Sequence, residues 1–184
     1  MSVLNTQLIF KRKRGREPFL LWLGGGRYTL LSMNPKPRKK KIQFNKRDHR
    51  VLVLWAADCA ERVLPYFEDK YPKDDRPRKA IEEGRAWAHG DAPMKMSVIR
   101  GASLAAHAAA RATEDPSARA AARAAGQAVA AVHVATHAPG AVYYAIKAIT
   151  ARGIDPAGER TWQRQHLPKR LHPVGFPAKI KAGN

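Results

Sequence analysis

Apolar residues along the middle of this chain recur at steps of three and four, the spacing of one face of an α-helix. The first helix is predicted to open at Asp48, because aspartate is a favoured N-cap. Its apolar face comprises Val51, Leu52, Trp55, Cys59, Val63 and Phe67. Pro65 should kink or end the regular helix near Leu64. No run of alternating apolar and polar residues persists anywhere, so we expect no strands.

Start and stop signals divide the residues that follow into further helices. Asp75 and Pro77 favour a helix start, and Gly90 is a natural left-handed cap. Asp115-Pro116 repeats the start signal, and Gly153 should cap a later helix. The later helices are predicted at about residues 94–112, 115–137, 141–152 and 155–165, with Pro139-Gly140 breaking the chain between two of them. The sequence therefore predicts an all-α fold, a single bundle or stacked helical hairpins of five to six helices.

Alanine dominates the second half of the predicted domain, since 21 of the 50 residues from Gly101 to Thr150 are Ala. Alanine buries little apolar area, so the core must gain from close approach of helices and from the large apolar residues. The residues expected to supply this burial are Trp55, Leu64, Phe67, Trp87, Ile99, Leu104, Val129, Val132, Tyr143 and Ile146.

The charge is spread unevenly along the 184 residues and divides the chain into three parts. The formal net charge is +19, and the first fifty residues hold 14 Lys and Arg against 2 Asp and Glu. We predict a basic leader at 1–47, disordered or extended, an Ala-rich helical domain at 48–152, and a short helix with a basic, Pro-containing, unpacked tail at 153–184. Met33 is a candidate translation start, which would leave residues 1–32 upstream.

Neither a secretory signal nor a membrane span is predicted. The apolar run Phe19–Leu23 is only five residues long, and a signal peptide needs roughly 7–15. Residues 124–146 contain no Asp, Glu, Lys or Arg, but alanine is too weakly apolar to drive insertion, and Pro139-Gly140 interrupts them. We therefore expect a cytoplasmic protein.

Histidines form the main candidate constellation for chemistry. His133 and His137 lie four apart, on one face of a predicted helix, and His107 on the preceding helix is placed to approach them. Two histidines at this spacing are one way to hold zinc, but no glutamate stands where a general base would be needed. Packing or hydrogen bonding between helices is the favoured interpretation, so no cofactor is expected. Cys59, on an apolar face, is interpreted as a small hydrophobe.

The basic ends are candidate contacts for phosphate. Gly24-Gly25-Gly26 lacks the Lys-Ser/Thr of a phosphate-binding loop and is interpreted as a turn. A run of cations gives salt-sensitive, sequence-independent affinity for nucleic acid, and here that run is Arg38, Lys39, Lys40 and Lys41. A solvated tail that keeps the domain soluble is the alternative.

The middle of the chain resembles the small all-helical bacterial domains of the immunity-protein-five-like family. The resemblance spans about residues 48–149 and is carried by 48–52 (DHRVL), 54–65 (LWAADCAERVLP), 75–82 (DRPRKAIE), 84–87 (GRAW), 105–110 (AAHAAA) and 131–138 (AVHVATHA). The leader and the tail lie outside it. It implies a protein that neutralises a cognate toxin by binding, without catalysis and without a cofactor.

Two expectations about charge accompany this resemblance. Asp58 and Glu61 should form structural ion pairs with Arg76, Arg78 or Arg85. A basic nuclease toxin would favour an acidic inhibitor, which this chain is not. Either the target is not strongly basic, or an acidic patch makes the contact. That patch comprises Glu68, Asp69, Asp74, Asp75, Glu82 and Glu83.

Overall fold

The computed structural model describes residues 45–90 and 95–177 in full, and the backbone of residues 19–22 and 28–31. The chain divides into two units, residues 1–41 and 42–184. In the first unit, strands β1 (Phe19–Trp22) and β2 (Tyr28–Leu31) pair antiparallel, with Phe19 opposite Leu31 and Trp22 opposite Tyr28. The expectation of no strands is therefore wrong here, because four residues are too few to give a clear alternation.

Every secondary-structure element in the described residues of the second unit is a helix, which confirms the all-α class for this unit. Its helices are α1 (Lys46–Glu61), α2 (Pro65–Glu68), α3 (Arg76–His89), α4 (Met96–Ala112), α5 (Pro116–Ala130), α6 (Ala138–Ala151), α7 (Ala157–Gln165) and α8 (His172–Gly175). Single 3-10 turns lie at Ala135–His137 and Lys169–Leu171. Six of the helices are nine residues or longer, in line with the predicted five to six.

Helix α5 lies at the centre and packs against α1, α2, α3, α4 and α6. Its ten buried residues are all of valine size or smaller, and most are alanine. Small side chains let helix backbones approach closely, so α5 can be surrounded on several sides. We call helices α4, α5 and α6 the alanine layer.

Local signals explain most helix ends. Asp115 caps α5 by accepting from the backbone N–H of Ala118 at 2.8 Å, and Gly90 and Gly153 adopt φ values of 84° and 73°, which side chains disfavour. The predicted cap of α1 is wrong by one turn. Asn45 is the N-cap, and its Oδ1 accepts from the N–H of Asp48.

The connection between α5 and α6 also differs from the prediction. Helix α5 ends at Ala130 rather than near residue 137, and the chain turns over residues 131–137. Pro139 does not break a helix but occupies the first turn of α6, where its missing N–H costs nothing.

The expectation of an extended, unpacked tail is wrong as far as Pro177. Leu167, Leu171 and Val174 are buried, and the indole ring of Trp55 meets Phe176 edge-on at 5.4 Å. The Nε1–H of Trp55 donates to the carbonyl of Gln163 at 2.9 Å. We call residues 157–176 the C-terminal segment. Its prolines start one-turn elements instead of keeping the chain extended.

Most of the predicted core residues are buried or partly buried, with two exceptions. Leu104 is 66% exposed and Tyr143 is 37% exposed. Both lie on the sides of α6 and α4 that face away from the core, while Tyr144 and Ile99 on the same two helices are buried.

Candidate functional site

The three candidate histidines line one groove of about 300 Å³ at one end of the alanine layer. His107 comes from α4, whereas His133 and His137 come from the turns between α5 and α6. The prediction that the last two share a helix face is therefore wrong, although the turns still bring both to the groove. The remaining lining residues are Ile99, Arg100, Ser103, Leu104, Gln127 and Ala130.

Close packing fixes two of these rings. Nδ1 of His137 lies 2.9 Å from Oε1 of Gln127. The ring of His107 packs against Gly126, where a Cβ would lie 2.9 Å from Cε1 of the imidazole. A side chain at position 126 would therefore have to displace the His107 ring.

The groove favours the neutral forms of His107 and His137. Burial lowers the pKa of His107, and the positive charges of Arg123 and Arg111 lower it further. Burial and the neighbouring His133 lower the pKa of His137. Nδ1 of His107 is buried without a hydrogen-bond partner among the described residues. No group of three or more His, Cys, Asp or Glu within residues 45–90 and 95–177 is arranged to hold a metal ion.

Cys59 lies in the core on α1, fully buried. Burial is the main cause that raises the pKa of its thiol, and the carboxylates of Glu159 and Asp58 add to the effect. The group stays protonated at neutral pH, in agreement with its interpretation as a small hydrophobe.

Three of the six carboxylates of the acidic patch form ion pairs with cations of the same region. Glu68 accepts two hydrogen bonds from Arg78, at 2.6 and 2.7 Å. Asp74 pairs with Arg76 at 2.5 Å, and Asp75 pairs with Lys79 at 2.8 Å. The other members, Asp69, Glu82 and Glu83, form no ion pair with any residue the structure describes. The patch is therefore less negative than its sequence suggests.

The predicted structural ion pairs are present for one of the three arginines. Nη2 of Arg85 on α3 lies 2.6 Å from Asp58 and 2.5 Å from Glu61 on α1. The hydrogen bond from Arg85 lowers the pKa of Glu61. These charges tie α1 and α3 together.

A second groove, of about 460 Å³, lies between α6, α7 and the end of α8. Sequence reasoning missed it, because Tyr143 and Ile146 were assigned to the core, and residues 153–184 were assigned to a short helix and an unpacked tail with no expected contact between that helix and α6. The spacing of the lining residues along the sequence could have revealed the groove. Residues 143, 146, 147 and 150 share one helical face, and so do 160, 163 and 164. We call this site the basic groove. Its lining includes Tyr143, Lys147, Arg160, Arg164 and Phe176.

Two sets of predicted residues lie outside the described residues. These are the candidate phosphate contacts Arg38, Lys39, Lys40 and Lys41, and the glycine run Gly24-Gly25-Gly26. The candidate start Met33 lies outside them as well. Within the part of the chain that the structure does describe, no helix has both the length and the apolar character required to cross a bilayer.

Comparison with known proteins gives one family. The family model described as "Imm-5 like putative immunity protein" matches residues 43–170, more than two thirds of the 184 residues. The match confirms the resemblance inferred from the sequence. It also reaches past the expected end near residue 149, and so takes in α7. No curated protein and no solved structure matches the chain.

Proposed function

Because this chain belongs to the Imm-5-like immunity-protein family, we propose that it neutralises a cognate bacterial toxin by binding it directly. The family match over residues 43–170 is the observation that carries the proposal. In this proposal the protein acts without catalysis, in the cytoplasm, and covers or deforms the toxin.

The fold is suited to this role, since a binding protein needs a surface that holds its shape. Helices α1 and α3 are joined by the ion pairs of Arg85, and the C-terminal segment is held on α1 by Trp55. Preorganised surfaces lose less conformational entropy on binding. An inhibitor built this way can present fixed side chains to a toxin.

A rescue assay tests the proposal. Open reading frames adjacent to that of this chain would be expressed singly in a sensitive host, with and without the full chain. We expect one toxic neighbour to be neutralised and to co-purify with this protein. Trp55→Ala, chosen to disrupt the fold, should rescue poorly at equal expression. Persistent toxicity of every neighbour in the presence of abundant folded protein would contradict the proposal.

The second candidate function is nucleic-acid association through the basic ends. The observation that favours it is the net charge of +19, concentrated in the first fifty residues. Replacing Arg38, Lys39, Lys40 and Lys41 by Gln should then reduce the dependence of log affinity on log salt. Each lost phosphate contact should lower that slope by about 0.7–0.9. An unchanged slope would exclude this run as the contact.

A further inference from the structure

We propose that the basic groove binds an acidic segment of the partner toxin, one in which carboxylates flank an apolar or aromatic side chain. The inference rests on the proposed function, because it supplies the partner, and it goes further by naming the contact surface and its chemistry. The observations that carry it are the construction of the groove, its charge and its apolar floor.

Two helical faces build the groove. On α6, Tyr143, Ile146 and Lys147 are spaced three and four residues apart, and on α7 Arg160, Gln163 and Arg164 have the same spacing. Gly175 and Phe176 line it from α8 and its end. The volume of about 460 Å³ falls within the roughly 300–1,000 Å³ of sites that enclose small ligands or a few side chains.

The charge of the groove is positive and uncompensated. Its cations are Lys147, Arg160 and Arg164, and no Asp or Glu is among its lining residues. None of the three forms an ion pair with a residue that the structure describes. The nearest carboxylate in sequence, Glu159, is buried and already bound to Arg62 and Gln163.

This arrangement differs from that of the arginines on α3. Arg76, Arg78 and Arg85 each contact a carboxylate at 2.7 Å or less, so their charge is used within the fold. The guanidinium of Arg164 instead lies 4.8 Å from the centre of the Phe176 ring. This cation–π contact uses the face of the ring and leaves the guanidinium N–H groups available to carboxylate oxygens.

The floor of the groove is apolar, which favours a peptide over a simple anion. Val142, Ile146 and Phe176 line it, and Tyr143 is 37% exposed there. A protein segment that inserts one apolar side chain and aligns carboxylates with the three cations would use both features. The positive charge of the whole chain would also accelerate the approach of an acidic partner.

A peptide titration tests the groove directly. The full chain would be titrated at physiological salt with a fluorescent peptide in which two glutamates stand on each side of a phenylalanine. Each exposed ion pair contributes modestly, so we expect the triple variant K147Q/R160Q/R164Q to lower affinity about tenfold. The control K70Q/K73Q/R47Q removes the same charge from exposed residues elsewhere and should lower it less than about twofold.

The outcomes separate the alternatives. Equal losses in both triple variants would mean that binding follows net charge, and would overturn the proposal. So would absence of peptide binding to the unaltered chain. A single-stranded RNA that binds in place of the peptide, and is lost only in the groove variant, would assign the groove to nucleic acid and also overturn it.

The rescue assay distinguishes failure of the groove from failure of the proposed function. Where the unaltered chain neutralises a toxin, the groove variant should fail to do so. Reversal of Glu82 and Glu83 to Lys, at carboxylates that form no ion pair with a described residue, should leave rescue intact. Full rescue by the groove variant would contradict the groove and leave the function standing. If no form of the chain rescues the host, the proposed function is contradicted. The peptide titration would then be the only test of acidic-peptide binding by the groove.

Discussion

The alanine layer and the C-terminal segment bury their surfaces in opposite ways. In α5, the centre of the layer, every buried residue is of valine size or smaller, so stability comes from many short contacts between helix backbones. The C-terminal segment packs through a few large side chains, with Leu167 and Leu171 buried and Phe176 against Trp55. The buried face of α5 leaves no room for larger side chains, whereas the C-terminal segment depends on the few large side chains that it buries.

This difference shows why one chain needs both kinds of packing. Alanine loses almost no side-chain entropy on burial but gains little apolar area. Closely packed alanine helices therefore give a defined geometry with limited stabilisation per residue. Trp55 on α1 adds a large buried surface and a hydrogen bond to the segment, which together join residues distant in sequence.

The largest effect is expected where the segment meets α1. Trp55→Ala should destabilise the fold by about 3–5 kcal/mol, because it leaves a cavity and removes the indole contacts to the segment. Denaturant unfolding followed by circular dichroism measures the loss. Hydrogen exchange should rise first in α7 and α8, and a loss below about 1 kcal/mol would show that the segment does not depend on this residue.

In the alanine layer the disruptive change is enlargement. Ala125 on α5 is completely buried, so Ala125→Leu should cost about 1–3 kcal/mol by forcing helices apart. Ala151 at the exposed end of α6 provides the matched control, and Ala151→Leu should change stability by less than about 0.5 kcal/mol. Equal effects of the two substitutions would indicate a loosely packed layer.

A smaller effect is expected on the pH dependence of stability. It should come from the alanine layer, because that layer contains the histidine groove. The pKa of His107 is lowered from its ordinary value of 6.5, so the unfolded chain takes up the proton first. Stability should therefore be complete above about pH 6.5 and fall as the pH decreases through the lowered pKa. Melting temperatures measured from pH 8 to 5 test this, and His107→Gln should flatten the curve. If the melting temperature of His107→Gln falls as steeply with decreasing pH as that of the unaltered chain, the pH dependence comes from other groups.

The smallest effect is expected at the ion pairs of Arg85, which belong to neither region. The pKa of Glu61 is lowered from its ordinary value of 4.5, so its contribution is present above that pH and lost as the pH falls through the lowered pKa. Because the pair is partly exposed, Glu61→Gln should cost less than about 1 kcal/mol near neutral pH. Glu82→Gln, at an exposed carboxylate, is the control. A larger loss at Glu82 than at Glu61 would contradict the assignment.

The amino-acid sequence by itself determined the helical class, the family and most helix ends. Periodicity and local capping are short-range properties, so Asp115, Gly90 and Gly153 could be assigned from their neighbours alone. Ion pairing of Asp58 and Glu61 with an arginine of α3 was also predictable, because an apolar face fixes which side of a helix carries its charges. The choice of Arg85 among the three candidate arginines was not.

Only the tertiary structure decided where the C-terminal segment lies and which surfaces remain open. Whether Leu167, Leu171 and Phe176 pack depends on a complementary site on α1, which no local pattern reveals. Likewise, the exposure of Tyr143 and Leu104 depends on how α6 and α4 are oriented against their neighbours. The basic groove exists because faces of α6 and α7, which follow one another in the chain, meet beside Phe176. Burial and charge compensation depend on that meeting and not on either helix alone.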